Sequence, residues 1–193
     1  MPTTLTKRTP RVVFPLLTGL FLVAAGAIAA DDKTQTLDGQ GITFQAPASW
    51  KKEQPKGAMR RLQLSISPVE GDDQPAELYL VALDGDGGGV DANVTRWQKL
   101  FSDAENNPPK VDRKTVKGQN TDVNRVEIAG RYTPAAFPNA PKQAPRDHSR
   151  LLGAIVIAPS NSYFLRMVGP EKTVASAREG FDAMIKSIKV ESK

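Results

Sequence analysis

The sequence predicts an α+β domain: an antiparallel sheet with helices packed on it. Three observations carry that prediction. Short stretches of period-two or continuous apolar character recur from Ile42 onward, and most are joined by turn-length connections, as in hairpins. Only the stretches around Trp97 and Phe181 repeat at helical spacing instead. The order of these stretches, three strands, a helix, four strands and a last helix, suits helices layered on a sheet rather than alternating βαβ units.

Residues 1–29 precede that pattern and read as a secretory signal peptide. Lys7, Arg8 and Arg11 lead into an apolar run from Val12 to Ala27, and Ala27-Ile28-Ala29 has the small-x-small spacing of a cleavage site. Pro15, Gly19 and the Ala/Gly-rich end favour cleavage over an anchor, so no stable membrane span is expected afterwards. The mature chain is expected to be extracytoplasmic, periplasmic or secreted. With no cysteine in the chain, neither a lipid anchor on cysteine nor a disulfide is available, and burial of apolar surface must stabilise the domain. Lys7, Arg8 and Arg11 also supply much of the formal net charge of +5. The remainder is close to balance, which argues against nucleic acid as a partner.

Residues 30–41 are polar and are expected to form a flexible tail before one domain spanning 42–190. Ile42, Phe44 and Ala46 alternate with polar neighbours until Pro47 ends the strand, and Trp50 follows in a connection. Leu62, Leu64 and Ile66 form a half-buried strand, and Gly71 to Pro75 a turn. Leu78 to Leu83 is apolar on both faces, the pattern of a central strand covered on both sides. Asp84 to Gly89 breaks that strand. Asp91 is expected to cap a helix whose stripe is Val90, Val94, Trp97, Leu100 and Phe101, stopped by Asn106-Asn107-Pro108-Pro109.

Val111 to Val116 and Val123 to Tyr132 read as a strand pair around a turn at Lys117 to Asn120. Thr133 to Arg146 carries Pro134, Pro138, Pro141 and Pro145. A connection of that length is uncommon in a compact domain; its prolines favour an extended segment that could present a docking surface, and a floppy surface excursion suits the sequence equally well. Leu151 to Ala158 and Tyr163 to Val168 are strands turned by Pro159 to Ser162. Gly169-Pro170 opens the last helix, with Val174, Ala177, Phe181, Met184, Ile185 and Ile188 on its apolar face. Asp182 and Lys186 have the spacing of a helical ion pair on the other side.

Several of these residues resemble known families once set together. Phe44-Gln45-Ala46-Pro47-Ala48-Ser49-Trp50, Gly87 to Trp97, Gly169 to Val174 and the closing Phe181 to Ile188 are similar to a family of exported bacterial proteins of unknown function, of the planctomycete type. The Ala46-Pro47-x-x-Trp50 start, the late hairpin and the terminal Phe…Lys-Ser-Ile helix also resemble the PsbP-like fold, named after an extrinsic photosystem II subunit. That resemblance implies an antiparallel sheet between helices and brings no catalytic residues.

Candidate chemistry is sparse. The Asp84 to Gly89 loop has glycines at a helix start but no lysine or hydroxyl at phosphate-loop spacing. Asp84, Asp86 and Gly89 match part of a calcium loop, yet Gly88 and Thr95 stand where further ligands are needed. His148, flanked by Asp147 and Ser149, is expected to be a solvated loop residue, since neighbours in sequence do not converge as a triad. Lys51, Lys52, Lys56, Arg60 and Arg61 form the densest basic patch, expected to be a solvated face. Asn93-Val94-Thr95 matches a glycosylation sequon inside the first turns of a helix. The sequence therefore assigns no catalytic, cofactor-binding or metal-binding residue. It points to a non-catalytic accessory or binding module for an unknown protein or envelope component; the alternative is an extracytoplasmic hydrolase with an unidentified carboxylate site.

Overall fold

Alternation along the chain translates into two sheets. The computed structural model describes residues 33–135 and 143–191, together with Met1 and Thr3; the expected signal segment otherwise lies outside the described residues. β1 (Thr34–Asp38) and β2 (Ile42–Pro47) pair as a hairpin, and β11 (Lys189–Val190) joins the other edge of β2. The second sheet runs β3 (Lys51–Glu53), β4 (Arg60–Ile66), β5 (Ala76–Asp84), β10 (Asn161–Pro170), β9 (Arg146–Ile157), β8 (Asp122–Tyr132) and β6 (Phe101–Ser102), with β7 (Val111–Lys117) also on β8. Each pairing in both sheets is antiparallel.

β1 corrects the expectation of a flexible tail over 30–41. Its only large apolar residue, Leu37, lies opposite Phe44 and is buried, so one side chain anchors an otherwise polar strand. The turn is closed by Gly39 N–H on Ile42 O (2.8 Å), with Gln40 and Gly41 both at positive φ (63° and 101°). Two consecutive positive-φ residues match the right-handed twist of a tight hairpin. A strand with a single buried contact leaves no period for sequence analysis to detect.

Helices cover the large sheet unequally. α2 (Glu171–Ser176) packs on β9 and β10, and α3 (Arg178–Lys186) on β2, β7 and β9. Val174, Ala177, Phe181, Met184, Ile185 and Ile188 are all buried there with Phe44, Trp50, Leu64, Leu78, Leu152 and Met167. The expected stripe is thus present, but the helix is interrupted at Ala177 (φ −81°, ψ −3°), where Ser176 Oγ donates to Thr173 O. A hydroxyl bonding back to the preceding turn competes with the helical ladder.

On the opposite side, α1 (Gly89–Gln98) rests on β6, β8 and β9. Its Trp97 ring lies directly on Gly153, where a Cβ would collide with it. Val94 and Trp97 bury with Val126, Ile128, Leu151, Ile155 and Phe164. Asp91 does not cap this helix: Gly88 does (φ 88°), and Asp91 sits in the first turn, paired with Arg113 at 2.8 Å. The strand buried on both faces is β9, from Leu151 to Val156, and not β5, for which that coverage is expected from the sequence. In β5, Leu78 and Leu80 are buried, whereas Tyr79, Val81 and Leu83 are half-buried, Val81 and Leu83 lying at the margin of the α1-side cluster.

Candidate functional site

The uncovered part of the α1-side face carries a row of polar side chains. Register places Gln63 of β4, Tyr79 of β5, Arg166 of β10 and Gly153 of β9 directly across from one another, hence on one face. Gly153 carries Trp97, so Arg166 marks the border between the covered and open halves. The Arg60 guanidinium stacks on the Tyr79 ring at 3.9 Å and that of Arg166 stands 5.1 Å from the same ring. Arg166 Nη2 then donates to Tyr132 Oη at 3.4 Å, and Arg146 lies 5.2 Å over the Tyr132 ring. Arginine and tyrosine alternate across five strands.

One end of the row is tightly held. Gln63 is fully buried; its Oε1 accepts from Lys56 N–H (2.9 Å) and Arg60 Nη1 (2.7 Å), and its Nε2 donates to Glu53 and Glu77 (3.0 Å each). That exhausts the donor and acceptor capacity of an amide. Glu77 also takes ion pairs from Arg60 (2.8 Å) and Lys56 (3.1 Å). The basic patch named from sequence thus divides: Lys51, Lys52 and Arg61 are exposed, whereas Arg60 is turned inward onto Tyr79 and Glu77. Burial pushes the Tyr79 phenol above its ordinary range, opposed by the positive charge of Arg166. The ring therefore stays neutral and serves as a platform for cations.

The other side of the sheet handles charge differently. Under α2 and α3, Glu127 accepts from Arg125 (3.0 Å), Arg150 and Arg178; Arg125 also holds Asp182 at 2.5 Å, and Arg150 holds Glu171. Burial opposes the charge on Arg125, but its hydrogen bonds and attraction to Asp182 and then Glu127 outweigh it and raise its pKa. Asp182 is thus joined to Arg125, with Lys114 at 4.0 Å, rather than to Lys186 as its spacing suggests.

The remaining sequence candidates fall apart from one another. Asp84 Oδ1 accepts from Asn161 (3.2 Å) and Asp86 Oδ1 from Gly88 N–H (2.9 Å), so both carboxylates brace the loop locally. Asn93 is buried, its amide donating to Gly87 O (3.1 Å) and Gly89 O (2.6 Å), which makes the sequon part of the helix start. His148 is exposed but lies within β9, not a loop, at φ 47° beside the irregular register of β8 and β9. With Asp147 it borders two clefts of about 300 and 320 Å³. A further groove of about 480 Å³ lies between Gly41, Thr121, Ile157, Tyr163 and Glu191. Of the proline-rich stretch 133–146, residues 136–142, including Pro138 and Pro141, lie outside the described residues.

No family model matches the chain, and no curated protein does. Solved structures do. The solution structure of cyanobacterial PsbP (CyanoP) from Synechocystis sp. PCC 6803 aligns with a TM-score of 0.50 at 14% identity, covering 88% of this chain and 99% of that one. The fold is PsbP-like. A crystal structure from Bacteroides thetaiotaomicron VPI-5482 aligns at 0.48 and 10% identity, covering 83% of this chain, which spans 49% of that protein's length. Within the PsbP-like sheet, the residues sequence reasoning missed are Tyr79, Arg166, Tyr132 and Gln63. A signal did exist for one of them. Arg166 is the lone charged residue in the apolar run Tyr163 to Val168, and a charge at that position of a strand calls for a partner.

Proposed function

We propose that the chain is an extracytoplasmic, non-catalytic accessory or binding module, of the exported planctomycete-type family its motifs resemble, and that it binds through the open half of the α1-side face. The observation that carries this reading is the arginine–tyrosine row itself. Arg60, Tyr79, Arg166, Tyr132 and Arg146 form a continuous chain of contacts whose ends, Arg60 and Arg146, reach solvent while Tyr132 is buried within it. Arginine and tyrosine are the side chains that recur in interface cores. The sequence of residues 1–29 supports placement outside the cytoplasm, and among the described residues no helix is long and apolar enough to cross a membrane.

The carboxylates near the clefts have structural duties that suit this reading better than a hydrolase. Asp72 receives Thr173 N–H (2.8 Å) and its hydroxyl (2.7 Å), Asp103 receives Asn107 N–H (2.7 Å), and Asp147 faces Arg131 at 3.5 Å. The hydrolase reading keeps one support, the left-handed backbone of His148 at the mouth of both clefts. Capture of an envelope component from native extract tests the module. The wild-type chain should retain a defined partner, and the pair Arg60→Glu with Arg146→Glu should release it. Equal retention by both would remove the face from the function, and esterase or glycosidase turnover lost in His148→Ala would favour the hydrolase.

A further inference from the structure

We propose that Arg166, with Tyr132 Oη and Arg146, is a receptor for a single oxyanionic group, a carboxylate, sulfate or phosphate carried by a small ligand. The proposal rests on the reading of this face as the binding surface and names what it binds.

The argument begins with an imbalance. Arg166 is half-buried, and its Nε, like that of Arg150, is sealed from solvent without a hydrogen-bond partner among the described residues; what sets Arg166 apart is its lack of a carboxylate. Among the described residues its single hydrogen bond, to Tyr132 Oη at 3.4 Å, is at the outer limit of such contacts. Among the described residues no carboxylate pairs with it, whereas the other inward-facing arginines each hold one: Arg60 holds Glu77, Arg125 holds Glu127 and Asp182, and Arg150 holds Glu127 and Glu171. A guanidinium has five N–H donors, and leaving them unmet in a part-buried place costs free energy. Phe164 and Val168, on the same face of the same strand, are apolar and buried. An aliphatic residue would suit position 166 as part of that core, so an unpaired arginine there is an expensive choice unless something completes it.

The groups around it exclude an internal counter-ion. Glu77, diagonal to Arg166 on β5, is already taken by Arg60, Lys56 and Gln63, and Glu53 by Gln63. Tyr79 is kept neutral, since burial pushes its phenol up. Asp147, beside Arg146, faces Arg131. What remains at the site is donors: the Nη groups of Arg166, the Tyr132 hydroxyl and the Arg146 guanidinium above the Tyr132 ring. The planar fork of a guanidinium donates side by side to two oxygens of one oxyanion, with more strength than a neutral hydrogen bond. A compact oxyanion matches this donor set; a cation or an apolar group does not.

Titration of the purified chain with phosphate, sulfate and acetate tests it, chloride holding ionic strength constant, while the Nε–Hε resonance of Arg166 is followed by NMR. The expected result is a saturable shift with at least one of the three, its affinity ranking separating tetrahedral from planar oxyanions. Arg166→Lys, which keeps the charge but loses the fork, should weaken binding about tenfold or more, Arg146→Ala should weaken it a few-fold, and Arg61→Ala should leave it unchanged. A shift equal to that in chloride alone, or affinity unaltered in a folded Arg166→Lys or Arg166→Gln protein, overturns the proposal. The capture experiment separates the two readings. If Arg166→Gln abolishes capture while no oxyanion binds, the ligand class falls and the module stands. If neither responds, both fall.

Discussion

The two faces of the large sheet solve the same problem in opposite ways. Under α2 and α3, three arginines converge on one carboxylate, and each is held within a closed set of ion pairs. On the α1 side, the helix packs on β6, β8 and β9, and an arginine–tyrosine row runs across β4, β5 and β10 to Tyr132 and Arg146, with Arg166 at its middle holding no carboxylate among the described residues. In the first arrangement every arginine has a carboxylate partner, although the Nε of Arg150 is left without one, and the network belongs to stability. The second leaves binding capacity unused, which is what a surface awaiting a partner requires. The contrast teaches that charge on this fold cannot be interpreted from composition. The same residue type closes one face and opens the other, and only the covering helix distinguishes them.

The comparison is broken most severely by attacking the closed face. Phe181 is fully buried between α3 and the sheets, and Phe181→Ala should cost about 3–5 kcal/mol. Urea unfolding reads this directly, and a small midpoint shift would mean that α3 is not docked. Glu127→Gln is next. It removes the shared acceptor of Arg125, Arg150 and Arg178 and leaves Arg125, 3% exposed at its side chain, short of a partner. Breaking one side of a buried ion pair costs about 3 kcal/mol or more, here moderated because Arg178 is 43% exposed and can reach water. A loss under about 1 kcal/mol, the range of surface pairs, would place the network at the surface energetically and erase the contrast.

How far the sequence reached follows the same division. The stripe Val174, Ala177, Phe181, Met184, Ile185 and Ile188 is legible because a helical period repeats, and all of it is buried. β9 is legible because apolar residues continue on both faces. β1 is not, since Leu37 alone marks it. The role of Asp182 is not either. Its spacing from Lys186 is local and visible, whereas Arg125 is 57 residues away and reaches it only through the fold. The arginine–tyrosine row fails for the same reason: Arg60, Tyr79, Arg166 and Tyr132 come from four strands, and nothing in one dimension aligns them. Long-range polar contacts have no period.

Asp182 and Lys186 sharpen this point at smaller magnitude. Asp182→Asn weakens a charge-assisted contact to Arg125 and should cost roughly 1.5–3 kcal/mol. Lys186 is exposed, and Lys186→Ala should stay within about 0.5 kcal/mol. Equal effects in denaturant unfolding would restore the helical pair that the spacing suggests and dissolve the link to β8.

The smallest expected effect is the most discriminating. Arg166→Met replaces a part-buried, unpaired guanidinium with an apolar side chain of similar length beside Phe164, Val168 and Tyr79. What is lost is a cation–ring contact at 5.1 Å, worth roughly 0.5–1 kcal/mol at a partly exposed site, and one long hydrogen bond to Tyr132. What is gained is relief of unmet donors and burial of apolar surface in a strand whose neighbours are apolar. These terms oppose one another, so the urea midpoint should stay within about 1 kcal/mol of wild type or rise. The matching substitution on the closed face, Arg125→Met, strips Glu127 and Asp182 of their shared partner and should destabilise by several-fold more. A large loss in Arg166→Met would show that the arginine is structural after all, its needs met within the fold, and the open face would then be closed in the same sense as the other.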